Sequence, residues 1–153
     1  MIISRKKPID LTLPMNAELL ILQRKPMRFV DRLLEFSGNS GVVESIIMSD
    51  NILLNDDGSL DKIAMVELIA QSFAVIKGYH DMLHNNSMKL GFLVGASRIQ
   101  FNKKAYKGDR LRIRITEVKT FDNFSLVDGE VMISNEIIAL GTIKIWISEN
   151  TLR

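Results

Sequence analysis

The chain has no cysteine, which excludes disulfide staples, thiolate catalysis and Cys-ligated zinc and leaves the redox compartment open. Histidine is nearly as scarce. His80 and His84 stand four residues apart, a spacing that suits a metal pair, but no third ligand accompanies them, so they read as surface side chains near a helix C-terminus. No metal or cofactor is expected. One sign of charge hardly prevails: the net charge is +2 over 153 residues, which makes no demand for a nucleic-acid partner. Uninterrupted apolar runs are also missing. The longest apolar stretch is broken by Glu67, Gln71 and Ser72, which argues against a membrane span. Met1-Ile-Ile-Ser-Arg-Lys-Lys-Pro8 lacks the apolar centre of a secretion signal, so a cytoplasmic location is expected. With no repeat, low-complexity tract or interior linker, residues 1–153 read as one domain large enough for a real core, preceded by a poorly ordered arm over residues 1–14.

What the sequence does hold is a carboxylate in its most apolar helical stretch. Glu67 lies in Leu60-Asp-Lys-Ile-Ala-Met-Val-Glu-Leu-Ile-Ala-Gln-Ser-Phe-Ala-Val-Ile-Lys77. A helix apolar on nearly every face belongs inside something. An ionised Glu is rarely buried there without a partner. Glu67 is therefore either tied down by hydrogen bonds or kept for chemistry.

Around that helix the pattern is strand. Asn16 is a candidate N-cap for a short helix over Ala17–Leu22, ended by Pro26. Met27–Phe36 and Val42–Ser49 are β-rich runs joined by a hairpin at Ser37-Gly-Asn-Ser-Gly41. Ser59 is the expected cap of the long helix, with Asp61 in its first turn, and the helix should run to about His84. Beyond it, Met88–Phe101, Arg110–Thr120, Phe124–Ser134 and Ile137–Ser148 read as strands. Arg110, Arg112 and Arg114 alternate with Leu111, Ile113 and Ile115, the period of a half-wet antiparallel strand. Two strands, a buried helix and four strands predict an α+β architecture in which one antiparallel sheet wraps one helix.

Three segments carry a resemblance to the hotdog-fold β-hydroxyacyl-acyl-carrier-protein dehydratases. Gln23-Arg-Lys-Pro-Met-Arg-Phe-Val-Asp-Arg32 resembles their His-Arg-x-Pro-x-x-x-Val-Asp-Arg segment, with Gln23 in place of His. Val66-Glu-Leu-Ile-Ala-Gln71 is similar to their central-helix Glu-x-x-x-Gln. Gly95-Ala-Ser-Arg-Ile-Gln-Phe101 with Gly108-Asp109 resembles their Gly…Phe…Gly-Asp strand pair. The chain departs from the family where a Gly-His-Phe-Pro segment would carry the catalytic His. Here Asn51–Asp61 has no histidine and is shorter. The overall pattern is nearer to a divergent dehydratase-like group of accessory lipid and aryl-polyene pathways.

The resemblance implies a thioester substrate on an acyl carrier protein or coenzyme A. It also implies a homodimer with sites between subunits, or a heterodimer with a second hotdog subunit. Dehydration needs a base for the α-proton, an acid for the leaving hydroxyl and donors for the thioester oxygen. By resemblance, Glu67 is the acid/base. Gln71, one turn on, orients it or the substrate. The first amides of the helix, near Lys62 and Ile63, face the thioester oxygen. Gln23 and Gly95 contact substrate, and Arg98, Lys103 and Lys104 meet the acidic carrier. Without a His, Glu67 would act alone, through water, or with Asp56 or Asp57. Three readings stay open: a dehydratase, a thioesterase using Glu67 to activate water, and a non-catalytic acyl-binding or partner subunit with a relic site. The bland reading of the basic cluster is a solvated edge.

Overall fold

The structure, a computed structural model, describes residues 10–151. Residues 1–9 of the expected arm lie outside that range. The rest of it, 10–14, is not loose: Leu11 and Leu13 pack against the core, and Tyr79 donates its hydroxyl to the Leu11 carbonyl at 2.8 Å.

In chain order the elements are β1 (Met15–Asn16), a 3-10 turn (Ala17–Leu19), β2 (Arg32–Ser37), β3 (Ser40–Ile46), α1 (Lys62–Leu83), β4 (Lys89–Phe101), β5 (Arg110–Phe121), β6 (Phe124–Ile133) and β7 (Glu136–Thr151). The strands form one antiparallel sheet in the order β1-β2-β3-β5-β6-β7-β4, and α1 packs on one face of it. This is the α+β hotdog arrangement expected from the sequence, with β1 as an addition. Among the described residues no helix is long and apolar enough to cross a membrane.

Side-chain alternation assigns the faces. Leu111, Ile113 and Ile115 are fully buried toward α1, while Arg110, Arg112 and Arg114 point outward, as a strand period of two requires. Register carries the inner row across the sheet: Val43 lies opposite Ile113, and Ile113 opposite Val131. Close approach of helix to sheet depends on a missing side chain at Gly129, where a Cβ would meet Ile69 at 2.5 Å. On the helix itself, Gly78 lets the segment ending in Leu20 and Ile21 lie directly on α1.

Three local expectations are corrected. The short helix is only the 3-10 turn, and Asn16 stands at its cap position without a side-chain cap bond. The strand expected from Met27 begins at Arg32, because the Phe29 amide is taken by a helix side chain, Gln71, at 2.8 Å. The cap of α1 is Asp61, not Ser59. Asp61 is extended (φ −60°, ψ 143°) and accepts from the Ile63 amide, while the Ser59 amide and hydroxyl both turn back to Asp57.

One edge of the sheet is unprotected. Among the described residues β4 hydrogen-bonds only to β7. From Leu90 to Ser97 it contains neither charge nor proline, the usual guards of an edge. Phe92, Leu93 and Val94 are exposed along it.

Candidate active site

Among the described residues Glu67 is only partly enclosed. The sheet buries Ala64, Met65, Leu68, Ile69, Ser72 and Phe73, but Ile63, Val66, Glu67, Ala70 and Ala74 form a stripe at helical spacing that the sheet leaves half-covered or open, with Ile63 63% exposed. The helix that reads as apolar all round is therefore buried on most sides and only partly covered on one, and the carboxylate lies on the partly covered one. Lys62 sits over the ring of Phe101, Nζ to centroid 5.6 Å, which joins the start of the helix to the end of the free edge strand.

Gln71 holds the carboxylate. Its side chain is 1% exposed and fully engaged. Nε2 donates to Glu67 Oε1 and to the Met27 carbonyl, and Oε1 accepts from the Phe29 amide, each at 2.8 Å. An amide has two N–H donors, so neither is left over for a substrate hydroxyl while these bonds stand. Behind Phe29, the buried Ser45 hydroxyl donates to its carbonyl. The segment from Met27 to Phe29 thus gives its backbone to the helix instead of to a sheet ladder, and Glu67 inherits a fixed direction from it.

The remaining expected site residues are distributed as follows. The Ile63 amide is not free for a thioester oxygen, because Asp61 occupies it at 3.0 Å. The neighbouring Lys62 amide, first in the helix, has no intrahelical acceptor by geometry. Gly95 lies on β4 opposite Lys144, beside a register shift. A Cβ there would make only ordinary contact at 3.7 Å, so nothing among the described residues requires a glycine at that place. Gln23 is exposed, with its carbonyl accepting from Arg24. Asp57 is occupied within its own loop: the hydroxyl and amide of Ser59 hydrogen-bond to it and hold its carboxyl below the usual range.

The basic cluster is mostly neutralised. Lys103 pairs with Glu136 at 3.2 Å, Lys104 with Asp57 at 3.8 Å and Arg110 with Glu44 at 3.1 Å. Arg98 is exposed and has a positive φ of 55° inside an irregular stretch of β4, a conformation uncommon for a non-glycine residue. His80 and His84 stack at 4.3 Å. Thirteen residues at about 100° each leave His80 on nearly the opposite side of α1 from Glu67 and roughly 20 Å along it. Among the described residues no three His, Asp or Glu side chains converge as metal ligands.

Sequence reasoning missed Glu44, a carboxylate 3% exposed on the outer face of β3. Arg32 grips its Oε1 through Nε and Nη2 (3.1 and 2.8 Å), and Arg110 donates to Oε2 at 3.1 Å. The available signal was a charge inside Gly41-Val-Val-Glu-Ser-Ile-Ile47. Burial alone raises its pKa, but the hydrogen bonds and charges of Arg32 and Arg110 outweigh burial and hold it below the ordinary value. A depressed folded-state pKa means stability that is complete above the unfolded value and lost as the pH falls through the folded one. Glu44→Gln should therefore lower stability by about 1–3 kcal/mol at neutral pH. In urea titrations the gap to the wild type should narrow as the pH drops below about 4; a gap independent of pH would contradict the assignment.

Residues 15–152 match the profile of the family described as ApeP-like, ApeP dehydratase. The chain is 26% identical over 146 residues to the 3-hydroxyacyl-[acyl-carrier-protein] dehydratase FabZ of Xylella fastidiosa strain M12, covering 89% of this chain and 87% of that protein. Among solved structures it is similar in fold to a chain of the dehydratase heterocomplex ApeI:P from Xenorhabdus doucetiae, with a TM-score of 0.83 at 19% identity, covering 89% of this chain and 93% of that one. It is also similar in fold to smu.793 of Streptococcus mutans UA159, a structure with bound acetyl CoA, with a TM-score of 0.64 at 16% identity over 86% of this chain and 98% of that one.

Proposed function

This chain belongs to the ApeP-like dehydratase family, and from that premise we propose that it takes part in removing water from a β-hydroxyacyl thioester carried on an acyl carrier protein, with Glu67 as the acid. In that step a base removes the α-proton, the electron pair of the broken carbon–hydrogen bond forms the carbon–carbon double bond, and the carbon–oxygen bond breaks as the β-hydroxyl departs as water with a proton from Glu67. Gln71 acts as a positioning residue for Glu67 and not as a substrate donor, since its hydrogen bonds are taken up by Met27, Phe29 and Glu67. The Lys62 amide receives the thioester oxygen as charge develops on it.

The observation that carries this reading is the place of Glu67. It lies on the partly covered stripe of α1, whose first turn reaches the free edge strand β4 through Lys62 and Phe101. A carboxylate left half wet by its own chain becomes an effective acid/base only when something closes over it and excludes water. We assign that role to a second hotdog subunit joined along β4, with the acyl chain enclosed between the two. The base comes from that subunit. Neither His80 nor His84 of the same chain can reach Glu67, and Asp57 is held in its own loop. A heterodimer with a histidine-bearing subunit is therefore preferred to a homodimer, a preference supported by the fold likeness to a chain of the ApeI:P heterocomplex.

The test is mass spectrometry of a panel of β-hydroxyacyl carrier proteins. The panel is incubated with this chain alone and with the chain co-purified with a hotdog subunit that carries the Gly-His-Phe-Pro segment. Loss of water only in the presence of both is the expected result. Loss of the acyl group would identify a hydrolase, and dehydration by this chain alone would remove the need for a foreign base.

A further inference from the structure

On the outer face of the sheet, away from α1, a cleft of about 390 Å³ opens where β1, the start of β2, the end of β3 and the start of β5 meet. Arg28, Arg32 and Arg110 line it together with Glu18, Asp31 and Glu44. Formal charges balance, but the hydrogen-bonding capacity does not. Both oxygens of Glu44 are shared out between Arg32 and Arg110. Asp31 Oδ2 accepts from the Ile46 amide at 2.7 Å. Glu18 is half exposed and holds Arg28 at a long 3.3 Å.

Each guanidinium carries five N–H donors, and the contacts to Glu18 and Glu44 take one from Arg28, two from Arg32 and one from Arg110. Arg28 Nε is shielded from solvent and meets no acceptor among the described residues. That atom is out of a ligand's reach, so what Arg28 offers an oxyanion in the cleft is its Nη hydrogens beyond the one given to Glu18. Arg32 and Arg110 are already oriented by a buried carboxylate, so little side-chain freedom is lost when they bind a ligand. Planar guanidinium forks around one space match the tetrahedral oxygens of phosphate.

We propose that this cleft binds a phosphate dianion, either free or as the head of a phosphomonoester, gripped by the unengaged N–H groups of Arg28, Arg32 and Arg110 together. The space exceeds what phosphate alone would fill, leaving room for an organic group. Val43 faces the core and Glu44, next along β3, faces the cleft, so the site lies across the sheet from Glu67 and does not depend on the thioester chemistry proposed there.

The experiment is calorimetric titration of the full chain with inorganic phosphate and, separately, with glycerol 3-phosphate. Saturable binding is expected. Equal affinities identify free phosphate as the occupant, and tighter binding of the ester identifies a phosphomonoester. Arg28→Gln should weaken binding about tenfold or more, as loss of a charge-assisted fork does. Arg110→Gln, at a more exposed position, should also weaken it and carries the test if the Arg28 variant fails to fold. Arg114→Gln, on the same face but paired with Glu130, should leave it unchanged. The proposal is overturned if neither probe binds saturably at millimolar concentration, or if Arg114→Gln weakens binding as much as the cleft variants do.

Discussion

Glu67→Gln is expected to reduce dehydration by at least about 10²-fold, within the 10²–10⁴ range that a positioned acid or base contributes, while leaving the fold intact. The two outcomes separate because the substitution preserves shape and the contact with Gln71. Gln71 Nε2 donates to Glu67 Oε1, and an amide oxygen at that atom accepts the same bond. The staple from α1 to Met27 and Phe29 therefore survives. What is lost is a group able to give up a proton to the departing hydroxyl. The measurement is the rate of water loss from a β-hydroxyacyl carrier protein by the assembled enzyme, with thermal unfolding as the control. Unchanged turnover with an intact fold would show that the proton comes from elsewhere.

Gly78→Ala is expected to have the largest effect on stability. Helix propensity favours alanine by about 1 kcal/mol, so a purely local view predicts stabilisation. Tertiary packing reverses the sign. A Cβ at position 78 would stand 2.1 Å from the Leu20 carbonyl oxygen and 3.0 Å from its carbon. These are backbone atoms, which cannot rotate away as a side-chain end would. The Leu20 segment is anchored by the Ala17 amide on the Asp31 carbonyl at 2.8 Å and by the buried side chains of Leu20 and Ile21. Relief requires lifting that segment off the helix. Losing the burial of two such side chains costs roughly 3–6 kcal/mol, well above the propensity gain. Chemical denaturation should show the loss; a variant as stable as the wild type would mean that the segment yields more easily than its anchors imply.

How much of this was legible beforehand varies with the range of the interaction. The alternation of Arg110, Arg112 and Arg114 with Leu111, Ile113 and Ile115 fixed a strand and its two faces, because a period of two is local. The long apolar run around Glu67 located α1 for the same reason, and the motif segments named the family. Features set by distant partners were not readable. The cap moved from Ser59 to Asp61 because Ser59 is drawn to Asp57. The basic residues after β4 looked like an open patch, yet Lys103 and Lys104 meet Glu136 and Asp57, acids that nothing in the local pattern brings near. Glu44 is not legible locally because its arginines come from two other strands. Glu67 was expected to be enclosed, and periodicity cannot tell a helix face covered by its own sheet from one left open.

The bare run from Leu90 to Ser97 has a bearing on how such a chain must be produced. Eight uncharged residues without proline, on an edge whose outer amides and carbonyls meet no strand among the described residues, have the composition that favours cross-β stacking between identical molecules. A subunit synthesised in excess over whatever seals that edge would be prone to precipitate as an orphan. Balanced stoichiometry during synthesis would then matter to the solubility of this protein as much as any substitution in its core.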